Sequence, residues 1–225
     1  MKMLIAISSC WAWEKQGLND PMRETWLPDA RIMGIDYKFF FGTGAIPTLH
    51  DDFVCLNCDD SYLHLSDKFS AKTNYTLEHG YDFMYAVQPD CYVRLERLLK
   101  SGFDKVPYMG GLYRHATLGD YGQTGASITL SREAMEIVAS DSSPSRHADG
   151  SLEDINSEDA RVGQVLKKRS ILLTNNAGFR ISGLDEPGPR RNNFVIASHL
   201  SYRNWLQVPY EAKFMYQKHQ EFLES

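Results

Sequence analysis

The sequence contains no apolar run approaching the ~20 residues needed to cross a bilayer as a helix, and no basic run longer than Lys167-Lys168-Arg169. The first absence excludes a helical membrane span. The second, with a net charge of −5 and a pI of about 5.8, argues against a nucleic-acid partner. Cysteine is scarce: four in 225 residues give no disulfide framework and fit a reducing compartment. Cys55 and Cys58 form one C-x-x-C pair, but no two further ligands follow at zinc-site spacing. The pair therefore reads as small buried residues on a strand and its exit, while Cys10 and Cys91 stand alone. Met1-Lys2-Met3 runs straight into Leu4-Ile5-Ala6-Ile7, too short for the apolar region of a secretory leader. That run reads as a first buried strand and the protein as cytoplasmic, where the sequon Asn74-Tyr75-Thr76 has no meaning.

What is present is an ordinary apolar fraction, 43%, in a chain long enough for one large domain. No internal repeat is visible. Short strand-like runs alternate with amphipathic helices, which points to an α/β layer architecture. Leu4 to Ser8, Tyr37 to Phe41, Phe53 to Leu56 and Tyr81 to Val87 read as strands, with Ile171 to Leu173 and Phe194 to Ala197 as later ones. A helix is expected over Asp60 to His79, with Tyr62, Leu65, Phe69 and Thr73 on its inner face and Gly80 as its stop. A short helix follows over Leu95 to Lys100. Ser131 can cap a helix carrying Met135 and Val138, and Ser157 one carrying Val162, Val165 and Leu166. A terminal helix over 210 to 223 would turn Met215, Phe222 and Leu223 inward. Two polar stretches, 140–157 and 183–193, are too long for ordinary connectors and read as lids.

Asp90 is the first residue to ask a chemical question. It follows Gln88-Pro89 at the end of the strand over 81 to 87, and ligands of open α/β sheets bind beyond the carboxyl ends of strands. Pro89 fixes φ and biases Gln88 to an extended shape. On local grounds Asp90 is either a turn residue bonding its own backbone or one ligand of a hard divalent ion. Asp159, beside Glu158, is a favourable charge in a helix's first turn or a chemical group. His199 is a packing histidine or a metal ligand.

Six pieces of the chain, in order, carry a resemblance: "MRETWL" (22–27), "DDSYLHLSDK" (59–68), "QPDCYV" (88–93), "TGASITLS" (124–131), "SEDARVGQVL" (157–166) and "ASHLSY" (197–202). Together they resemble the inverting β-1,3-glycosyltransferases, the Fringe-like, galactosyl- and N-acetylglucosaminyltransferases with a GT-A fold. The resemblance implies one α/β domain with a central mixed sheet flanked by helices. Residues 1–93 would bind a nucleotide sugar, and residues 94–225, with the two long loops, the glycan acceptor.

Roles follow by position. Asp90 matches the last acid of the family's Asp-x-Asp, which binds Mn²⁺ (or Mg²⁺) on the donor's diphosphate, and His199 the late histidine that supplies a second ligand. Asp159 matches the general base that deprotonates the acceptor hydroxyl in a single inverting displacement; Glu158 is the alternative. Ser8, Arg23, Asp60, Tyr62, Lys68 and Gln88 fall where the family holds a UDP-linked or other nucleotide sugar. Arg23 and Trp26 can equally brace the loop after the first strand. Asp60 and Lys68 can equally be helix-surface charges.

The sequence also departs from the pattern. Gln88 replaces the first acid of Asp-x-Asp, which implies weaker or altered metal dependence, and Asn19 stands where many members carry an arginine. The family's disulfides and anchor have no counterpart. Two rival readings follow: a GT-A-like carbohydrate- or nucleotide-binding module without turnover, and a metal phosphohydrolase using Asp59, Asp60 and Asp90. The latter lacks the required cluster spacing.

Overall fold

The structure is a computed structural model that describes residues 1–44, 50–116, 119–141, 158–181, 195–203, 206–207 and 209–224. The chain opens with strand β1 (Met3–Ser8) and three short helices, α1 (Trp11–Lys15), α2 (Asp20–Glu24) and α3 (Leu27–Ile32). Strands β2 (Asp36–Phe41) and β3 (Phe53–Cys55) lead to α4 (Leu65–Glu78), β4 (Phe83–Val87), β5 (Cys91–Val93) and α5 (Leu95–Lys100). Four strands come next, β6 (Tyr108–Gly110), β7 (Leu112–His115), β8 (Gly119–Gly122) and β9 (Ile128–Ser131). After α6 (Arg132–Ala139) and α7 (Glu158–Lys168) lie β10 (Thr174–Asn175), β11 (Phe179–Arg180), β12 (Ala197–His199), β13 (Tyr202–Arg203), β14 (Leu206–Gln207) and α8 (Ala212–Leu223).

Seven strands form the central mixed sheet in the order β10-β6-β9-β4-β1-β2-β3. The β4-β1-β2-β3 part is parallel, and β9 runs antiparallel to β4 and β6. Every residue of β1 is buried, as a central strand covered on both faces requires. Its side chains alternate between two apolar layers. Met3, Ile5 and Ile7 join Trp11, Met22, Trp26, Leu27, Leu98 and Met215 on one face. Leu4 and Ala6 join Phe69, Met135, Val138, Val162 and Leu166 on the other. Helices α2, α3, α5 and α8 thus cover one face, and α4, α6 and α7 the other.

The parallel part reverses direction of travel at β1: the chain goes from β1 to β2 and β3 on one side, then returns to β4 on the other. This is a topological switch point, where a crevice opens beyond the strand ends. A second sheet, β11-β12-β5, lies at that end. In it β12 pairs antiparallel with β5, setting His199 opposite Cys91.

Most of the expected elements are present, with Ser131 capping α6 through the Ala134 amide and Gly80 in the left-handed region (φ +73°) after α4. Several expectations are corrected. The helix expected from Asp60 starts at Leu65 after a 3₁₀ turn over Tyr62–His64. The Asp60 carboxylate holds the amides of Trp11 and Gly42, which fixes the chain in a non-helical path there. Tyr62 is consequently 82% exposed rather than on the inner face. The strand expected at 171–173 forms three residues later, at Thr174, where pairing with Met109 becomes available. The strand placed at 194–197 runs over Ala197–His199, and Phe194 lies outside the described residues. Leu223 is 67% exposed, because α8 turns Met215 to the core. Cys55, at the end of the edge strand β3, is exposed and Cys58 only half-buried, so the C-x-x-C pair is not the buried pair expected. Ser157, residues 142–157 and residues 183–193 lie outside the described residues.

Gly163 is where α7 meets the β7–β8 ribbon: a Cβ there would sit 2.5 Å from Tyr121 Cβ. Gly163→Leu should therefore push α7 off its seat and cost about 1–3 kcal/mol through overpacking. Urea unfolding measures it, and an unchanged midpoint would contradict the packing.

Candidate active site

A cavity of about 630 Å³ opens at the switch point. Its wall includes Ser8 and Ser9 from the end of β1, Asp60, Tyr62 and Lys68 from the approach to α4, and Gln88, Pro89 and Asp90 from the β4–β5 turn. Glu158 and Asp159 from the first turn of α7, and His199 and Ser201 from β12 and its exit, complete it. Seven of the eight non-catalytic and metal-site expectations, with Asp159, therefore face one space.

Arg23 is the residue left out. It bonds Asp52 through Nε (3.0 Å) and Nη2 (3.1 Å), Asp20 through Nη1 (2.9 Å) and Glu14 at 3.2 Å, and its guanidinium lies 4.3 Å from the Phe39 ring centroid. Burial works against its charge, and Asp52 and Glu14 more than offset that, raising its pKa. With its donors taken by three carboxylates, Arg23 is a brace of α2 against the β2–β3 side and does not line the cavity. Asn19, also away from it, is buried and joins Ser9 Oγ to Glu14.

Asp90 and His199 meet although 109 positions separate them. His199 Nε2 lies 3.1 Å from Asp90 Oδ2, and the Ser201 hydroxyl donates to the same oxygen. The Leu200 amide donates to the Asp90 carbonyl at 2.8 Å, which locks the two segments. Burial opposes the Asp90 charge, but the attraction of His199 and the hydrogen bonds from His199 and Ser201 prevail and hold its pKa below the ordinary value. Gly125 makes room for the imidazole, since a Cβ there would come within 2.4 Å of the ring.

The pair fits a divalent ion. Asp90 Oδ1 is buried with no hydrogen-bond partner among the described residues. To ligate an ion beside Oδ1, His199 Nε2 would present its lone pair in place of the 3.1 Å contact with Asp90 Oδ2. Among the described residues no group of three or more His, Cys, Asp or Glu could hold a metal. An ion here would need its remaining ligands from a bound diphosphate and water, as is usual for Mg²⁺-type sites.

Elsewhere on the lining the Thr124 hydroxyl stands between two carboxylates, 2.7 Å from Glu158 Oε1 and in contact with Asp159 Oδ1. Gln88 Nε2 reaches Glu158 Oε1 at 3.3 Å and Thr124 Oγ1 at 3.4 Å. One hydroxyl has one proton to give. The Thr124 hydroxyl can serve only one of the two carboxylates at a time, and its hydrogen bond to Asp159 favours that group's charged form. Burial first, then the adjacent Glu158 charge, pushes the Asp159 carboxyl up to about 7.

Below Ser8 lie two buried lysines of α4. Lys68 Nζ donates to the Ser9 carbonyl and to Asp60 Oδ1, both at 2.7 Å, so the pair is an internal tie rather than a surface charge. Lys72 Nζ donates to Ser8 Oγ at 2.5 Å. Burial lowers the Lys72 pKa to about 8 against the pull of Glu158 and Asp159. Sequence reading missed Lys72; its spacing of four from Lys68 and one helical turn from Phe69 was the available signal. It also missed Thr124 and Ser201, and the aromatic wall of Trp13, Tyr113, Tyr121 and Tyr210. Asp59 Oδ1 caps the Ser61 amide and Asp60 is committed to backbone amides. The cluster of free acids that a metal phosphohydrolase would need does not form.

Two variants test this geometry. Arg23→Ala should lower stability by about 3 kcal/mol, because three carboxylates lose their cation, while ligand affinity at the cavity stays within about twofold; titration alongside denaturation separates the two effects. For Asp159 the folded pKa of about 7 exceeds an unfolded value near 3.9. Its protonation stabilises the fold fully below about pH 4, and this is lost as pH rises through 7. Asp159→Asn should gain on the wild type in thermal midpoint between pH 5 and 7 and hold a constant lead above pH 8. A constant difference at all pH values would refute the raised pKa.

Compared by sequence, the chain matches no protein-family model and no curated protein. Compared by structure, it is similar to the crystal structure of a glycosyltransferase involved in the glycosylation of the major capsid of PBCV-1, with a TM-score of 0.53 at 10% identity over 100% of both chains. A second structure, A197 from STIV, aligns over 72% of this chain and 76% of its own at 15% identity, with a TM-score of 0.37, too low to support an argument. The chain has a mixed α/β fold similar to that of a glycosyltransferase.

Proposed function

We propose that the protein is an inverting glycosyltransferase that moves a sugar from a UDP-sugar, or another nucleotide sugar, to a hydroxyl of a glycan acceptor. The observation that supports this most is that two unlike centres line one cavity: the Asp90–His199 pair and the Glu158–Thr124–Asp159 group. The fold likeness to the PBCV-1 glycosyltransferase adds to it.

In this reading the nucleotide lies over Ser8, Asp60, Tyr62 and Lys68, with exposed Tyr62 free to cover the base. Asp90 and His199 would hold Mn²⁺ or Mg²⁺, which when bound supplies positive charge against the departing diphosphate. Gln88, an amide in place of an acid, orients Glu158 and adds no charge to that centre. Asp159, with its pKa near 7, accepts the proton of the acceptor hydroxyl as that oxygen attacks the anomeric carbon from the face opposite the leaving group. A lone base on that side needs no covalent sugar intermediate, so the product is inverted. The four free cysteines, Cys55 exposed among them, suit a reducing compartment, and we place the protein in the cytoplasm. Among the described residues no helix is long and apolar enough to cross a membrane.

Isothermal titration with UDP, with and without Mn²⁺, tests the donor assignment; absence of binding in both conditions ends it. Screening nucleotide sugars for UDP release should find one donor whose turnover rises with pH through about 7. Asp159→Asn should reduce that turnover by roughly 10²–10⁴-fold and leave UDP affinity within about twofold. UDP binding without turnover in the wild type would identify a binding module instead.

A further inference from the structure

One wall of the cavity is left unused by the donor, metal and base assignments. Strands β7 and β8 pair antiparallel as a two-stranded ribbon apart from the central sheet, with Tyr113 opposite Tyr121 and Arg114 opposite Asp120. Successive side chains of a strand point to opposite faces. Tyr113, His115 and Tyr121 share one face, and all three line the cavity. Arg114 and Asp120, on the other face, are exposed. Tyr121 is the buried member, seated against Gly163 with its ring centroid 5.4 Å from that of Tyr113 at a 45° tilt. Tyr113 and His115 are half-buried and keep accessible surface.

The place of the ribbon fixes which part of the reaction it serves. The chain leaves β8 at Gly122 and reaches Thr124, whose hydroxyl touches Asp159. Gly163, the seat of Tyr121, lies about one helical turn beyond Asp159 on α7. The ribbon face thus adjoins the base, whereas Ser8, Asp60 and Lys68 come from β1 and the approach to α4. A general base acts only within hydrogen-bond reach of the hydroxyl it deprotonates. What rests on the ribbon is therefore the molecule that brings that hydroxyl.

Resting on the transferase reading, we infer that the Tyr113–His115–Tyr121 face is the acceptor subsite and that it takes an uncharged pyranose. The C–H bonds on one face of a pyranose are slightly positive and suit the negative face of a tyrosine ring. Its rim of hydroxyls suits phenol and imidazole, each of which can donate or accept. None of the three side chains is the Lys or Arg that a carboxylate or phosphate would call for. The neighbouring Glu158 and Asp159 also disfavour a further negative charge. The same face therefore rejects an acidic sugar.

The test uses the full chain loaded with UDP and Mn²⁺, so that no donor sugar is present and nothing is turned over. Methyl β-glycosides of glucose, galactose, N-acetylglucosamine and xylose are titrated by saturation-transfer NMR, with the glucuronic acid glycoside as the charged probe. The proteins are the wild type, Tyr113→Ala, Tyr113→Phe, His115→Ala and Arg114→Ala, the last taken from the outward face. At least one neutral glycoside should bind the wild type, with saturation strongest on the C–H protons of one ring face, and the glucuronide should not. The Kd of that glycoside should rise roughly tenfold in Tyr113→Ala, which loses a whole ring, and by less in Tyr113→Phe, which keeps it. In Arg114→Ala it should stay within about twofold, as should UDP affinity in every variant. The inference is overturned if no neutral glycoside binds a wild type that binds UDP, if Tyr113→Ala leaves the Kd unchanged, or if the glucuronide binds equally well. Loss of UDP affinity in a Tyr113→Ala protein with an unchanged thermal midpoint also overturns it, and places the ring at the nucleotide. If that midpoint falls, His115→Ala is read by the same criteria. Failure of UDP to bind the wild type is a separate outcome, in which the transferase reading itself falls.

Discussion

The antiparallel pairing of β12 with β5 is the contact on which the candidate site depends. It lays His199 opposite Cys91 and beside Asp90, and the Leu200 amide then closes on the Asp90 carbonyl. Without that register the buried Asp90 carboxylate would lose the imidazole and hydroxyl that favour its charge. With it, the imidazole and the Ser201 hydroxyl keep the charge in place, and Pro89 fixes the turn from which it projects. The absence of a side chain at Gly125 is part of the same arrangement, since the ring fills that volume.

The cavity separates two electrostatic environments. On the floor, α4 sends Lys68 and Lys72 under the end of β1, where they hold Ser9, Asp60 and Ser8. On the wall above, α7 brings Glu158 and Asp159 together around one hydroxyl. Two buried carboxylates this close resist joint ionisation, and burial with the Glu158 charge raises the Asp159 carboxyl to about 7. The buried Lys72 attracts the negative charge of that pair. An acid poised near neutrality thus arises from burial and a like-charged neighbour, the combination by which proteins tune acid–base groups.

The chain order of the motifs and the physical order of the site are different things. Residues 8, 60 to 68, 88 to 90, 124, 158 to 159 and 199 to 201 come from six separate stretches, each at the end of an element. The switch point at β1 gathers the first three groups. The small sheet and the seat of α7 against β8 gather the rest, with Gly163 allowing the close approach to Tyr121.

The sequence by itself determined the α/β alternation, the buried strands β1, β2 and β4, the Ser131 cap and the Asp90 turn. These depend on local periodicity, on proline and on hydrogen bonds spanning a few residues. It also marked Asp159 and His199 as worth asking about, each with an equally good structural explanation. Only the tertiary structure showed that both are buried on the lining of one cavity, because burial, partners and separation are properties of neighbours distant in the chain. Arg23 is the clearest instance: as a sequence it is a cation near the first strand, and only the folded positions of Glu14, Asp20 and Asp52 show that its donors are spent. Lys72 is the converse, a charge that residue type assigns to solvent although its spacing from Phe69 puts it on the inner face, and that packing brings against Ser8.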